Sequence, residues 1–200
     1  RLFKKLTDLQ RFLGNERAKG SQIGFVPTMG ALHPGHLSLI QQSTEQNACT
    51  VCSIFVNPTQ FNDPKDFEKY PVTIEKDIDL LEKAGCHVLF LPAVEEIYPS
   101  VTQPVKHYDL GFLETVLEGS YRKGHFRGVC MVVHRLLDIV QPHNLYLGQK
   151  DYQQCMVIKK LIELINVPVN VTICPTLREA DGLAMSSRNM RLNEDERKKA

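Results

Sequence analysis

Short apolar runs rich in β-branched residues alternate along this chain with longer segments that have a helical pattern. The runs that we predict to be strands cover residues 22–27, 49–56, 87–91, 144–147 and 169–173. The segments that we predict to be helices cover residues 35–46, 74–84, 126–140 and 152–165. Because strands that alternate with helices pair in parallel and are covered from both sides, the sequence predicts an α/β fold with a parallel sheet and helices on both faces.

The charge balance excludes several classes of partner. The 200 residues include 24 Lys and Arg against 23 Asp and Glu, so the formal net charge is +1. A near-neutral chain gives no electrostatic reason to expect binding to nucleic acid or to an anionic membrane surface. No apolar run approaches the roughly 20 residues that cross a bilayer. We therefore expect a cytoplasmic protein whose partners are small molecules.

Six cysteines raise the question of a disulfide or a zinc site. Cys49 and Cys52 have CxxC spacing, but they lie within one predicted strand, where alternation sends their side chains to opposite faces. The other four cysteines are scattered among apolar neighbours. The sequence therefore predicts buried free thiols, as is usual in a reducing compartment, and no metal site built from cysteine.

A domain boundary is expected after the last predicted strand. Pro175 and the polar residues 178–182 follow that strand, and a very hydrophilic segment begins at Arg188. A further helix is predicted from Asn193, with acidic residues in its first turn and basic residues in its last. We expect residues 1–176 to form one domain and residues 177–200 to form a hinge and the truncated start of a smaller C-terminal domain, which would leave the segment 185–188 untethered.

The most informative stretch is PTMGALHPGH at residues 27–36, where a strand leads through a turn into a helix. The free N–H groups and the positive end of the helix dipole favour a polyphosphate at that position. Pro34 suits the first helical turn, since it has no N–H to leave unpaired. His33 and His36, three positions apart, can both donate hydrogen bonds to a departing pyrophosphate. The alternative is a pair of surface histidines in a helix cap.

A second polar segment, Met185-Ser-Ser-Arg188, offers two hydroxyl groups and a guanidinium to the same phosphates. Alone it would be an ordinary polar loop. Together with the HxGH stretch, it resembles the ATP-binding signature of the nucleotidylyltransferase and class I synthetase superfamily.

Two other strand ends carry polar side chains. Asn57 and Gln60 follow one strand and suit a hydroxylated substrate, although an Asn-Pro turn also explains Asn57. Lys150 and Gln154 follow another strand and would face the same crevice beyond the strand ends. Asp151 is a good N-cap for the helix that begins there. The loop at residues 117–128 is basic and rich in glycine, so it could be solvated surface or could close over anions.

These segments together resemble one family. PTMGALHxGH, FVNPTQF, LEG-x-x-R-x-GHFxGV, LGQKDYQQ and READGLAMSSRN occur in the order typical of the pantothenate synthetases, over nearly the whole chain. The resemblance implies a Rossmann-like domain, a smaller C-terminal domain and a homodimer. It also implies the reaction: ATP with Mg²⁺ activates pantoate as pantoyl adenylate, and the amine of β-alanine then displaces AMP.

The resemblance also implies roles for individual residues. His36, His33 and Lys150 would be catalytic, with His36 as the proton donor. Gln60 and Gln154 would hold pantoate, Asn57 and Arg122 would contribute to substrate binding, and Asp151 would hold the metal. The ATP site would be lined by Met29, Gly30, Ala31, Leu32, His33, Pro34, Gly35, His36, Gly148, Gln149, Lys150, Asp151, Leu177, Met185, Ser186, Ser187 and Arg188.

Three alternatives stay open at this point. Another adenylyltransferase or cytidylyltransferase of the superfamily would share the HxGH stretch, but it would not need Gln60 and Gln154 in an uncharged pocket. A fragment of a class I aminoacyl-tRNA synthetase would need a basic tRNA-binding face, which the net charge does not provide. A catalytically silent domain kept for dimerisation would not need His33, His36, Lys150 and Arg188.

Overall fold

The computed structural model describes residues 1–99 and 107–200. Within them, six strands form one sheet in the order β1-β4-β3-β2-β5-β6, and every neighbouring pair is parallel. The strands are β1 (Leu2–Phe3), β2 (Ile23–Thr28), β3 (Cys49–Ile54), β4 (Val88–Phe90), β5 (Asn144–Gly148) and β6 (Asn170–Cys174). The parallel sheet predicted from the alternation of strands and helices is confirmed.

The longer helices connect these strands. They are α1 (Leu6–Ala18), α2 (Pro34–Gln46), α4 (Ile74–Lys83), α7 (His125–Val140) and α8 (Tyr152–Ile165). The described part also has four short α-helices: α3 (Pro64–Glu68), α5 (Val94–Ile97), α6 (Glu118–Tyr121) and α9 (Glu194–Lys199).

The helices cover both faces of the sheet, and each face has its own hydrophobic core. The larger core joins side chains of α1, α7 and α8 to one face, and among them Leu9, Leu136 and Ile158 are almost fully buried. The smaller core joins α2 and α4 to the other face through Ile40 and Leu81. The molecule is therefore a three-layer α/β structure of the Rossmann-like kind, as the resemblance implied.

The predicted elements agree with the structure to within two residues, and the largest difference at a strand end is that the strand expected at 49–56 already ends at Ile54. Pro34 does occupy the first turn of α2, and Asn193 does cap α9, with its side chain accepting from the Glu196 N–H at 2.9 Å. Among the strands and the longer helices, two elements were not predicted, helix α1 and strand β1. Helix α1 carries an apolar stripe, whereas β1 has two residues and depends on pairing with β4.

The prediction of buried free thiols is confirmed for five of the six cysteines. Cys49 belongs to the larger core and Cys52 to the smaller one, so these two side chains do lie on opposite faces of the sheet. All six cysteines are free thiols, and Cys86 is the one that is not fully buried. Among residues 1–99 and 107–200, no group of three or more His, Cys, Asp or Glu side chains could hold a metal ion.

The strand order creates a crevice at one end of the sheet. After β2 the chain turns towards β3 and β4 on one side, while β5 and β6 lie on the other side of β2. The connections that follow β2 and β5 therefore leave the sheet at the point where its order reverses, which is where open α/β sheets bind ligands. Helix α2 packs very close to β2, since a Cβ on Gly24 would lie 2.2 Å from the Ser43 hydroxyl oxygen.

Within the described part of the chain, no helix is both long enough and apolar enough to span a bilayer.

Candidate active site

A cleft of about 250 Å³ lies at the carboxyl ends of the strands. Its walls come from the segments after β2, β3, β5 and β6 and from the start of α7. Most of the residues that the sequence predicts for the active site do line this cleft: Met29, His33, Gly35, His36, Asn57, Gln60, Arg122, Gly148, Lys150, Asp151, Gln154, Leu177, Met185, Ser186, Ser187 and Arg188. Motifs that are far apart in the sequence are thus brought to one cavity.

Five residues expected at the ATP site do not line the cleft: Gly30, Ala31, Leu32, Pro34 and Gln149. The first three are buried residues of the loop that follows β2, and the other two are exposed to solvent. For Gly30, Ala31 and Leu32 the structure indicates a different task, which is to fix the shape of that loop.

The carboxylate of Asp77 holds the loop after β2 in place. It is fully buried and accepts hydrogen bonds from the backbone N–H groups of Ala31, at 2.9 Å, and Leu32, at 2.8 Å. The Thr73 hydroxyl donates to the same carboxylate at 3.1 Å. Gly30 has a φ of +83°, and a Cβ there would lie 3.0 Å from the Ile54 side chain. A left-handed turn above a buried acid therefore sets the position of the histidines that follow.

His33 and His36 form a compact pair at the start of α2. Their ring centroids are 3.9 Å apart, and Nδ1 of His36 accepts a hydrogen bond from the His33 backbone N–H at 3.3 Å. Because that Nδ1 is an acceptor, the ring hydrogen of neutral His36 must sit on Nε2. A Cβ on Gly35 would lie 2.9 Å from the His33 ring. Any larger side chain at position 35 would collide with the His33 ring, so the position of that ring requires the glycine of HxGH.

Both histidines are uncharged at neutral pH. Burial, the neighbouring His33 ring and the charge of Lys150 lower the pKa of His36 to about 3. Burial, followed by the charge of Lys150, also lowers the pKa of His33. His36 thus presents a neutral N–H donor to the cleft, and its expected role as proton donor stays a prediction. The positive charge at this end of the cleft comes from Lys150 and Arg188.

Lys150 and Asp151 are paired with each other after β5. The Lys150 ammonium lies 2.5 Å from an Asp151 carboxylate oxygen. Asp151 occupies the N-cap position of α8, as predicted, but its side chain makes no capping hydrogen bond. The physical reason is that the lysine engages the carboxylate, and both side chains remain accessible on the cleft wall.

Gln60 and Gln154 lie on the cleft wall as half-buried amides. The Gln60 amide donates to the Met29 sulfur at 3.0 Å, which links the segments after β2 and β3. Asn57 is 1% exposed, and its amide donates to the Gly128 carbonyl oxygen at 3.1 Å and to Gln60 Oε1 at 3.2 Å. Asn57 therefore acts in this structure as a support for Gln60, with its own polar atoms already engaged.

The segment Met185–Arg188 is not untethered, so that expectation was wrong. The Ser187 hydroxyl is buried and donates to the Ala31 carbonyl oxygen at 3.0 Å. The Met185 N–H donates to the Leu177 carbonyl oxygen at 3.0 Å, and Arg178 forms an antiparallel bridge with Ala184. The segment is thus held by the loop after β2 and by its own hairpin.

Arg188 is held by a carboxylate that sequence reasoning missed. Its guanidinium lies 2.8 Å from Asp66 on α3 and sits over the Tyr70 ring at 5.5 Å. Arg191 binds the other oxygen of Asp66 at 2.9 Å. Hydrogen bonds from Arg188 and then from Arg191 keep the pKa of Asp66 below its ordinary value, so the carboxylate stays charged at neutral pH. Arg122 is similarly paired with Glu118 at 2.9 Å.

Three residues that shape the site were not predicted: Asp77, Asp66 and His125. In the sequence, Asp77 and Asp66 look like surface acids of polar helices, because their partners lie far along the chain. His125 stood within the quoted GHF motif, and that motif was the available signal. Its contact with the Gln60 carbonyl could not be read from the motif.

Comparison with known proteins identifies the family. A sequence model described as Pantoate-beta-alanine ligase matches residues 1–200. The pantothenate synthetase of Cytophaga hutchinsonii is 51% identical over 188 residues, which cover 94% of this chain and 66% of that protein. The chain thus spans about two thirds of that relative's length.

Two solved structures agree with this match. The pantothenate synthetase of Thermus thermophilus has a TM-score of 0.93 and 44% identity, covering 100% of this chain and 70% of that one. A Francisella tularensis pantoate-beta-alanine ligase, described as complexed with beta-gamma ATP and beta-alanine, has a TM-score of 0.92 and 42% identity, covering 96% of this chain and 73% of that one. The chain therefore belongs to the pantoate–β-alanine ligase family, the pantothenate synthetases.

Proposed function

We propose that this chain carries the active site that condenses pantoate with β-alanine at the expense of ATP, through a pantoyl adenylate. The observation that carries the proposal is that one cleft brings together two chemically different sets of side chains. Lys150, Arg188 and the N–H of His36 supply positive charge and donors, whereas Gln60 and Gln154 supply uncharged amides. A triphosphate suits the first set, and a hydroxylated acid suits the second.

The first half-reaction needs cations and N–H donors more than it needs a base. Attack of the pantoate carboxylate on the α-phosphorus pushes negative charge onto the departing pyrophosphate. Donors fixed in advance stabilise that charge without reorganisation, and the neutral His36 N–H and the Lys150 ammonium fit this task. Arg188 adds a planar fork of N–H groups that matches phosphate oxygens.

The second half-reaction needs a held acyl adenylate from which water is excluded, because an acyl phosphate hydrolyses readily. The amides of Gln60 and Gln154 suit the hydroxyl groups of pantoate. A substrate that lacked a hydroxyl would leave one of these half-buried amides without its partner, which is a basis for selectivity.

Asp151 is the residue that we propose to hold Mg²⁺, together with phosphate oxygens of ATP. Mg²⁺ in such sites commonly takes one or two carboxylates and completes its shell with water and phosphate. The Asp151 carboxylate, on the cleft wall next to Lys150, fits that donor set. A magnesium ion there would neutralise charge on the triphosphate.

We further propose a cytoplasmic homodimer. Support for an interface comes from three exposed apolar side chains within residues 112–121: Phe112 at 71%, Leu117 at 71% and Tyr121 at 90% exposure. Such side chains are enriched in the cores of protein interfaces. Light scattering with size-exclusion chromatography checks the proposal: a mass equal to that of one 22.7 kDa chain would contradict it.

The test of function is pantoate-dependent exchange between ATP and labelled pyrophosphate. The assay is run with this chain and with a form extended to the length of its relatives, and phosphorylated acceptors replace pantoate in parallel. Exchange that requires pantoate supports the proposal, whereas exchange with a phosphorylated acceptor alone would favour another nucleotidylyltransferase. No exchange in either folded form would overturn it.

A further inference from the structure

His125 is an imidazole in the cleft that the proposed roles leave unused. It is the first residue of α7, is 5% exposed and lines the cleft wall. Its backbone is fixed by the preceding Gly124, which has a left-handed φ of +80°, and by its N–H, which donates to the Arg122 carbonyl oxygen at 3.0 Å. The ring is therefore held in one place at the edge of the substrate region.

The hydrogen bond that the ring makes determines its tautomer. Nδ1 of His125 lies 2.7 Å from the backbone carbonyl oxygen of Gln60, which can only accept. Nδ1 must therefore carry the hydrogen, and Nε2 of the neutral ring keeps a free lone pair. Within residues 1–99 and 107–200, the structure gives Nε2 no hydrogen-bond partner.

Close packing keeps this contact in place. Gly128, one turn further along α7, lies against the segment that carries Gln60, since a Cβ there would fall 2.3 Å from the Thr59 carbonyl oxygen. Asn57 bridges the same two segments through its bond to the Gly128 carbonyl oxygen. The distance between His125 and Gln60 is thus set by backbone contacts and not by side-chain freedom.

His125 and His36 therefore present opposite groups to the cleft. Nδ1 of His36 accepts from the backbone, so its Nε2 carries a hydrogen and donates. Nδ1 of His125 donates to the backbone, so its Nε2 accepts. A hydrogen-bond donor suits the phosphate region, and a neutral base suits a place where a proton must be removed.

The second half-reaction requires such a base. The primary amine of β-alanine resembles the lysine amine, whose pKa is about 10.4, so at neutral pH it arrives as an ammonium that cannot attack carbon. Two carboxylates on the cleft wall are already engaged: Glu118 by Arg122, and Asp151 by Lys150. His33 lies with His36 at the phosphate region.

We propose that Nε2 of His125 accepts the proton that the β-alanine ammonium loses before it attacks pantoyl adenylate. The inference rests on the proposed function. The freed amine forms the C–N bond, the bond from the acyl carbon to the phosphate oxygen breaks, and AMP leaves with that electron pair. A second proton leaves the nitrogen for water as the amide forms, and His125 passes its proton to solvent.

The surroundings of the His125 ring keep it neutral, so that Nε2 can accept a proton. Burial is the main cause that lowers the pKa of His125, against the opposing effect of the hydrogen bond to Gln60. Arg122 and Arg188 lower the pKa further, and Glu118 raises it. The ring is accordingly neutral at the pH at which the ammonium must be deprotonated.

The test measures how fast the variant His125→Asn consumes pantoyl adenylate with each of two nucleophiles, β-alanine and hydroxylamine. Asparagine can still donate a hydrogen bond to the Gln60 carbonyl, but it has no basic nitrogen. With β-alanine we expect the rate of pantoyl adenylate consumption to fall by about 100-fold or more. With hydroxylamine, which is already unprotonated at neutral pH, we expect a rate within a few-fold of wild type. His87→Asn, at the opposite end of the sheet, is the control: Nδ1 of His87 accepts a hydrogen bond from the Thr50 backbone N–H at 3.1 Å, so this change too replaces an imidazole that is bonded to the backbone.

The outcomes separate the two proposals. The role of His125 would be overturned by an unchanged rate with β-alanine in His125→Asn, or by an equal loss of rate with both nucleophiles. Pantoate-dependent exchange in the same protein would show that the proposed function still stands. If exchange were absent altogether, ring nitrogen NMR would still decide the geometry. A protonated Nε2 on His125 at neutral pH would contradict the inference, and a protonated Nδ1 with a bare Nε2 is expected.

Discussion

The Ser187 hydroxyl donates a hydrogen bond to the Ala31 carbonyl oxygen at 3.0 Å, across 156 positions of sequence. Ala31 lies in the loop that Asp77 holds beneath the two histidines, and Ser187 precedes Arg188. The two segments that supply phosphate donors therefore form one connected unit. A shift of either segment displaces the other, which ties the geometry of the HxGH stretch to that of the serine-arginine segment.

His36→Ala should lower the rate of adenylate formation by about 10²–10³, since it removes one fixed N–H donor to the developing pyrophosphate charge. Single-turnover pantoate-dependent formation of pyrophosphate measures this rate. Circular dichroism and urea unfolding check that the fold is intact. A folded variant with the wild-type rate would remove His36 from the mechanism.

Gly35→Ala should impair adenylate formation without the loss of any polar group. Its Cβ would lie 2.9 Å from the His33 ring, so the ring must move out of its packed position. Gly14→Ala in helix α1 is the matched control: its Cβ meets nothing within 4 Å, and the change should raise the unfolding free energy by up to about 1 kcal/mol. Equal exchange rates in Gly35→Ala and wild type would show that the His33 position is unimportant.

Asp77→Asn should destabilise the protein by about 2–3 kcal/mol and reduce adenylate formation. The Ala31 and Leu32 N–H groups each donate to a different oxygen of the charged carboxylate, so the NH2 group of asparagine would face one of them and leave it without an acceptor. Asp79→Asn changes an acid of the same helix that is not buried and should alter stability by no more than about 0.5 kcal/mol. Urea unfolding measures both, and similar values for the two variants would contradict the anchoring role of Asp77.

The stability of the protein should depend on His36 at acidic pH. Folding lowers its pKa to about 3, whereas the unfolded chain has the ordinary value of about 6.5. Between those values the unfolded state binds more protons, so the unfolding free energy falls as the pH drops from about 6.5 towards 3. The slope from this group is up to about 1.4 kcal/mol per pH unit. His36→Asn should reduce that slope, and an identical pH dependence in variant and wild type would be the contrary result.

Local patterns predicted five of the six strands that the structure describes and four of its five longer helices. Alternation placed Cys49 and Cys52 on opposite faces, because burial of one face leaves a periodic mark in the sequence. Helix α1 carries the same kind of mark in Leu6, Leu9 and Leu13, so it was available to the same reasoning. Strand β1 could not be predicted in this way, since its two residues are too few to show a periodic pattern.

The contacts that fix the site could not be predicted in this way. Asp77 is polar within a helix whose other acids are not buried, and its burial comes from a loop 45 positions upstream. The tautomer of His125 depends on a carbonyl 65 positions away. Motifs indicate which residues meet, but hydrogen-bond direction is a property of the assembled backbone.

The most direct test of the proposed chemistry uses pantoate labelled with ¹⁸O in its carboxylate, turned over with ATP and β-alanine. If a carboxylate oxygen attacks the α-phosphorus and leaves with AMP, mass spectrometry will find one ¹⁸O in each AMP formed. Label in inorganic phosphate, or label retained wholly in the organic product, would contradict the pantoyl adenylate on which the assignment of this cleft depends.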